Sequence, residues 1–180
     1  MTSTSTSPTW PAGRTSSTSP RAKTAPSMLT VLSTTCETNA KLTCSLVMGK
    51  LESSPSYVQY SEHYLPFHAH ITALTVAPHA RRQGLARTLS ESLERSGDEY
   101  DAWFVDLFVR KSNKIAQALY RGMGYSVYRR VLDYYSDDPT GASNDGEDAY
   151  DMRKPLKRDK DLKHIRENGE DFAVDPNDVW

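Results

Sequence analysis

The chain of 180 residues is poor in cysteine, in charge of one sign and in long apolar runs. Its two cysteines, Cys36 and Cys44, are too few for a disulfide framework and do not have zinc-finger spacing. The formal net charge is -1, which argues against a general binder of nucleic acid or anionic membranes. No run of about 18 apolar residues is present, so no membrane-spanning helix is expected. What remains is the length of one domain of ordinary size.

The first quarter of the chain differs in composition from the rest. Residues 1–45 include 12 Thr, 9 Ser and 4 Pro. Large apolar side chains are too few here to offset the entropy of an ordered backbone, so we expect a mostly disordered leader with a short strand from Met28. The leader is basic, as in organelle transit peptides. However, no amphipathic helix can be drawn through so many Ser, Thr and Pro, which favours a leader that carries no address.

From Leu46 onward the pattern becomes that of an α/β layer. Strands are predicted at 46–51, 70–76, 103–109, 125–135 and 149–152, and helices at 85–96 and 112–123. The loops between them are predicted at 55–66 and 137–148, and the charged tail of 155–180 is predicted to be a helix at best over 157–168.

Both predicted helices have an apolar stripe at helical spacing. Leu85, Leu89 and Leu93 form the stripe of the first helix. In the second helix, which Ser112 is expected to cap, the stripe that we expect to be buried consists of Ile115, Leu119 and Met123.

The loop before the first helix reads Arg81-Arg82-Gln83-Gly84-Leu85-Ala86. A strand, a short basic loop with a glycine and then a helix direct backbone N–H groups and the positive end of the helix dipole towards an anion. Gly84 and Ala86 are small where a phosphate must approach the backbone. Taken alone, the loop leaves a phosphate site and ordinary surface arginines equally open.

The spacing Arg81-x-x-Gly84-x-Ala86 resembles the acetyl-CoA pyrophosphate loop of the GNAT acetyltransferases. The segment 109–120, VRKSNKIAQALY, is similar to the V-R-x-S-N-x-x-A-x-x-x-Y helix of that family, and Gly124-Tyr125 follows it. Within the family, the segments 104–110 and 147–154 look like those of the catalytic subunits of NatB-type N-terminal acetyltransferases. The related NatA subunits have a His-containing strand where this chain has Asp106-Leu107-Phe108, so the NatB type is favoured.

The resemblance implies the GNAT fold, an α/β architecture with a mixed sheet flanked by helices, over residues 46–154. It fails before Leu46, so the first strand and the first two helices of the family pattern are expected to be missing. We therefore suspect that residues 1–45 come from a wrong start, exon or reading frame.

The same resemblance implies a peptide α-N-acetyltransferase that uses acetyl-CoA and no metal. Its substrates would be nascent proteins that begin Met-Asp, Met-Glu, Met-Asn or Met-Gln, and its location the cytoplasm. Its partners would be a helical-repeat auxiliary subunit and, through that subunit, the ribosome, with no direct contact to nucleic acid or membrane. Two alternatives stay open: a truncated homologue that binds only CoA or a partner, and an acetyltransferase for lysine or small amines.

Acyl transfer from a thioester to an amine requires a neutral amine, a stabilised oxyanion and a proton for the departing thiolate. The resemblance makes Tyr120 the candidate proton donor, with a buried structural tyrosine as the alternative. Asn113 lies two helical turns earlier on the same face and can hold the CoA arm. The other cofactor contacts that the resemblance implies are Leu74, Val76, Arg81, Arg82, Gln83, Gly84, Leu85 and Ala86.

The resemblance also implies residues that contact the peptide. His70 is expected to bind substrate or shuttle protons, together with Thr72 two residues along the same strand face. Tyr134 and Tyr135 are expected to bind the peptide backbone. Ordinary structural roles remain the alternative for all four. His63, His68 and His70 lack a carboxylate or cysteine that would complete a metal site, so no metal is expected.

Overall fold

The computed structural model describes residues 28–36, 42–54, 64–135 and 146–179. The strands are β1 (Met28–Cys36), β2 (Leu42–Glu52), β3 (His68–Val76), β4 (Phe104–Arg110), β5 (Ser126–Tyr135), β6 (Glu147–Pro155) and β7 (Ala173–Val174). The helices are α1 (Leu85–Glu99) and α2 (Lys114–Gly122), with 3-10 turns at Pro78–Ala80 and Pro176–Asp178. Within these ranges, no helix is long and apolar enough to cross a membrane.

The strands form one mixed sheet in the order β1-β2-β3-β4-β6-β5-β7, which confirms the expected architecture. β3 runs parallel to β4 and β5 parallel to β7, and the other neighbours are antiparallel. β3 and β4 pair only from Ala69–Val105 to Ile71–Leu107. Beyond Ile71 the two strands splay apart, although β3 stays paired with β2 as far as Val76. The middle of the sheet therefore opens into a V.

Helix α1 packs closely against β2. Leu89 and Leu93 are buried, as predicted from their spacing, whereas Leu85, the first residue of the predicted stripe, is only half-buried. Leu93 lies over Gly49, where an added Cβ would come 2.5 Å from the Leu93 Cδ2 atom. Because only glycine permits this approach, α1 lies close to the sheet and its N-terminus is fixed near the opening between β3 and β4.

The stripe predicted for α2 is wrong in two of its three positions. Ile115 is 86% exposed and Leu119 is 40% exposed, whereas Met123 is buried. The inward side of the helix also carries Gln117 and Tyr120, both buried. A polar residue takes the inner position because the Gln117 Nε2 atom donates hydrogen bonds to the carbonyl oxygens of residues 110 and 111, at 3.0 and 2.9 Å.

The cap of α2 is also one residue later than predicted. Asn113, not Ser112, is the N-cap, and its Oδ1 atom accepts a hydrogen bond of 3.1 Å from the Ala116 N–H. An asparagine oxygen in this position satisfies an N–H that the helix itself leaves unpaired.

The sheet extends beyond the residues that resemble the family. The strand predicted from Met28 is confirmed as β1, and β2 begins at Leu42, four residues before the expected start of the domain. In the described part of the chain that precedes β3 there are two strands and no helix. The predicted disorder of residues 1–27 and most of the two long predicted loops fall outside the described residues.

The C-terminal segment is packed onto the sheet, and its predicted helix over 157–168 is wrong. Asp159 is buried, and its carboxylate accepts hydrogen bonds from the backbone N–H groups of Lys163 and His164 at 2.9 and 3.0 Å, which folds this segment into turns. β7 then pairs with β5. Val179 is buried, and its carbonyl accepts a hydrogen bond of 3.4 Å from the Arg129 guanidinium.

Gly169 marks where this segment crosses β5, and it gives a test of the packing. A Cβ at Gly169 would lie 2.0 Å from the Val127 carbonyl oxygen, so a backbone would have to move. We expect Gly169→Ala to lower the free energy of unfolding by about 3 kcal/mol in denaturant titrations.

Gly122→Ala is the matched control, because no atom lies within 4 Å of its added Cβ. In the last turn of α2 this change should leave stability unchanged or raise it by about 0.5 kcal/mol. Equal unfolding midpoints for the two variants would show that the C-terminal segment does not pack as described.

Candidate active site

A cleft of about 750 Å³ opens where β3 and β4 separate, between the start of α1 and the outer side of α2. Nine of the ten cofactor contacts expected from the resemblance line this cleft: Leu74, Val76, Arg81, Arg82, Gly84, Leu85, Ala86, Asn113 and Tyr120. The tenth, Gln83, is exposed and is not part of the lining. Ile115 and Leu119 also line the cleft, which accounts for their exposure. Sequence reasoning missed both, because it assigned every apolar residue of α2 to the core.

One end of the cleft suits an anion. Gly84 is the N-cap of α1, with a φ of 78°, and neither a side-chain cap nor an acidic residue is present in the first turn. The positive end of the helix dipole therefore faces the cleft without an internal counter-charge. Arg82, with a φ of 63°, adds charge and holds a backbone conformation that is unusual outside glycine. Such strain is common at binding sites.

Tyr120 also lines the cleft, although it lies on the inner, buried side of α2. Burial raises the pKa of its hydroxyl to about 12, and the nearby Tyr135 acts in the same direction. The side chain is therefore a neutral phenol throughout the physiological pH range and can donate a hydrogen bond. Asn113 offers fewer hydrogen-bonding groups to a ligand than expected. Its Oδ1 atom caps α2, and its NH2 group is the part that remains available.

A row of rings adjoins the cleft. The His70 ring lies 5.8 Å from the Phe108 ring, Phe108 stacks on Tyr134 at 4.6 Å, and Tyr134 meets Tyr135 edge-on at 5.1 Å. The Tyr135 hydroxyl donates a hydrogen bond of 3.1 Å to the Phe108 carbonyl. Three of the four residues expected to contact the peptide, His70, Tyr134 and Tyr135, thus form one continuous wall together with Phe108. Thr72 is exposed, two residues beyond His70 on β3.

The C-terminal segment supports this wall from behind. Val131, Ala149 and Val179 form a small buried cluster, and Phe108, Tyr134 and Tyr135 pack against it. The segment that the sequence suggested was a surface tail thus holds the tyrosine pair in place.

Asp106, which the sequence did not single out, lies buried beside His70. Its Oδ1 atom lies 2.8 Å from the His70 Nδ1 atom, and the pair is buried. Burial alone would raise the pKa of Asp106, but the charge of His68, the hydrogen bond and charge of His70 and the charge of Arg153 lower it to about 2. One feature of the sequence could have identified it. Asp106 is the single acid within the apolar segment Trp103–Val109, where an ionised group requires partners.

The expectation that no metal binds concerned His63, His68 and His70. His63 lies outside the described residues. The His68 Nδ1 atom is 2.8 Å from the Pro66 carbonyl oxygen, and His70 is held by Asp106. No group of three potential metal ligands occurs in the part of the chain that the structure describes.

Comparisons with known proteins agree with the resemblance seen in the sequence. Residues 47–125 match the model of the acetyltransferase (GNAT) family. The N-terminal acetyltransferase B complex catalytic subunit naa20 of Schizosaccharomyces pombe is 57% identical over 133 residues, which cover 74% of this chain and 67% of that protein. N-alpha-acetyltransferase 20 of Dictyostelium discoideum is 52% identical, over 55% of this chain and 53% of that protein.

Solved structures give the same result. Naa20 of Chaetomium thermophilum, crystallised with a bisubstrate analogue, is 57% identical and superimposes with a TM-score of 0.76 over 81% of this chain and 77% of that one. A NatB acetyltransferase complex bound to a bisubstrate inhibitor gives a TM-score of 0.62 at 36% identity, over 82% of this chain and 75% of that one. The chain therefore belongs to the acetyltransferase (GNAT) family, in the branch of the NatB catalytic subunits.

Proposed function

We propose that this chain transfers the acetyl group of acetyl-CoA to the α-amine of protein N-termini, as the catalytic subunit of a NatB-type complex. The observation that carries this proposal is the splay of β3 from β4. The cleft that opens there is lined by the start of α1 and by the buried neutral phenol of Tyr120. The row of aromatic rings begins at the base of the same opening, where His70 lies opposite Asp106. A thioester carrier with a phosphorylated tail fits the first two features, and a peptide fits the third.

The lining of the cleft suits acetyl-CoA, which supplies an activated acetyl thioester when bound. The α1 N-terminus, Arg81 and Arg82 would hold its phosphates. Open space beside Gly84 supports this assignment, since an added Cβ there would meet no atom within 4 Å. In the described part of the chain, the β3 edge that faces β4 is unpaired beyond Ile71, so its backbone groups would be available to the amides and the carbonyl of the carrier.

The peptide would lie along the wall formed by His70, Tyr134 and Tyr135. Tyr120 would lie between this wall and the carrier. Its hydroxyl is close enough to Tyr135 for that residue to raise its pKa, and its side chain lines the cleft. An amine held there reaches the acetyl group beside a hydrogen-bond donor for the departing sulfur. The proposed N-terminal sequences, Met-Asp, Met-Glu, Met-Asn and Met-Gln, follow from the resemblance to NatB subunits.

The proposed partners are the auxiliary subunit of NatB and, through it, the ribosome that presents the nascent chain, and the proposed location is the cytoplasm. A second candidate function is binding of CoA or a partner without turnover. The observation behind it is that the described residues that precede β3 form two strands and no helix.

A peptide acetylation assay separates these functions. The full chain, alone and with the auxiliary subunit, is incubated with acetyl-CoA and a peptide that begins Met-Asp and contains an internal lysine. We expect acetylation of the α-amine and none of a control peptide that begins with serine. A thermal shift with CoA but no product would establish the binding-only function. Acetylation of the lysine would instead establish an acetyltransferase for lysine or small amines, the other alternative that the sequence left open.

A further inference from the structure

Asp106 and His70 form a buried pair at the base of the V between β3 and β4. In the parallel register His70 lies opposite Asp106, one pair before the strands separate. The Nδ1···Oδ1 distance is 2.8 Å. Asp106 is 2% exposed and His70 is 8% exposed, so both side chains are shielded from solvent. A histidine with one fixed nitrogen therefore lies at the point where β3 and β4 begin to separate.

We propose that Asp106 is a positioning residue that holds the His70 Nδ1 proton, so that Nε2 is the nitrogen that accepts the proton of the substrate amine. This inference rests on the proposed function, since it gives that reaction its base. A neutral imidazole has one N–H and one lone pair, and the partner of Nδ1 decides which nitrogen carries the lone pair.

The proposed step is balanced in atoms and charge. The amine nitrogen forms a bond to the acetyl carbon, and the carbon–sulfur bond breaks. The proton of the amine moves to Nε2, which leaves an imidazolium beside the Asp106 carboxylate. The sulfur departs as a thiolate that accepts a hydrogen bond from Tyr120. Asp106 stays ionised throughout and stabilises the imidazolium.

The charges around His70 agree with this role. Burial by itself lowers the pKa of His70, but the hydrogen bond and charge of Asp106 and the charge of Glu52 on β2 outweigh it and raise the pKa. Lys50, which pairs with His70 across β2 and β3, acts in the opposite direction. Tyr134, on β5, is neutral, with a raised pKa. Asp106 is therefore the acid in hydrogen-bond contact with the ring.

The sign of the pH effect follows from this balance. If His70 is the base, kcat/KM falls at acid pH as His70 becomes protonated. The Asp106→Asn change removes the negative charge while burial remains, so the pKa of His70 falls. The acid limb of the kcat/KM profile then moves to lower pH, and the plateau falls about tenfold because the imidazolium is less stabilised.

The test combines kinetics with nitrogen NMR of the His70 ring in the full chain. We expect a proton on Nδ1 in the wild type and a lower His70 pKa in Asp106→Asn. Asp151→Asn is the control, because Asp151 is equally buried but pairs with Arg129 and Arg153. It should lower stability and leave the acid limb in place.

Two results would overturn the proposal: a wild-type His70 with its proton on Nε2, or an acid limb that Asp106→Asn does not move. The NMR measurement on the wild type stands even where Asp106→Asn fails to fold. Together with the acetylation assay, the NMR measurement also separates the proposed function from the proposed role of Asp106. A chain that acetylates no peptide contradicts the proposed function, whereas an active chain with the wrong His70 tautomer contradicts only the role of Asp106.

Discussion

Replacing Tyr120 with phenylalanine is expected to lower kcat for peptide acetylation about 10²-fold. The hydroxyl belongs to a side chain that lines the cleft, and its pKa of about 12 keeps it protonated. A phenol of this pKa is a weaker acid than a thiol, whose usual pKa is about 8.5. We therefore expect Tyr120 to stabilise the departing thiolate through a hydrogen bond. Because this bond strengthens as charge develops on sulfur, kcat falls while KM for acetyl-CoA stays unchanged.

Tyr125→Phe is the control for the loss of a buried tyrosine hydroxyl. The Tyr125 ring lies 5.7 Å from the Tyr120 ring, and its hydroxyl donates a hydrogen bond of 3.1 Å to Glu94, away from the cleft. This variant should lose about 1 to 2 kcal/mol of unfolding free energy and keep its kcat. If Tyr120→Phe retained wild-type kcat, the hydroxyl would have only a structural role.

The second large effect is expected at Gly84. Gly84→Ala places a methyl group in the open space at the start of α1, where the phosphates of CoA would approach the backbone. Loss of charged hydrogen bonds worth about 3 kcal/mol corresponds to an affinity for CoA that is about 10²-fold lower. Isothermal calorimetry with CoA measures this change directly and does not depend on the peptide.

Gly124→Ala separates the loss of binding from backbone strain. Gly124 also has a positive φ, 93° against 78° for Gly84, but its added Cβ would meet only the Lys154 side chain, at 3.6 Å. Both variants should lose about 1 kcal/mol of unfolding free energy, because alanine is strained in the left-handed backbone conformation that each glycine adopts. Only Gly84→Ala should lose affinity for CoA, and equal affinities in the two variants would contradict the phosphate site.

The parts of this site that the sequence predicts well are those in which local chemistry dictates position. The basic loop with Gly84 and the strand that ends at Val76 are contiguous in sequence, so their spacing alone brings seven of the nine expected contacts into one cleft. Leu89 and Leu93 of α1 are buried because that face of the helix packs on the sheet, whereas Leu85 lines the cleft.

The errors have a common physical cause, which is that hydrogen bonds of polar side chains decided the outcome, and the spacing of apolar residues does not reveal them. On α2 the spacing of Ile115 and Leu119 suits a core, but Gln117 takes the inner side through hydrogen bonds to the preceding loop. The C-terminal helix fails because a buried Asp159 binds two backbone N–H groups. The Asp106–His70 pair joins residues 36 positions apart, so no local pattern could reveal it.

The most direct test of the account is the position of the acetyl group on a peptide that begins Met-Asp. After incubation with acetyl-CoA and the chain in its complex with the auxiliary subunit, fragmentation mass spectrometry locates the modification. The account predicts an acetyl group on the α-amine, formed by the wild type and about 10²-fold more slowly by Tyr120→Phe. A peptide left unmodified at its α-amine by the wild-type complex would contradict it.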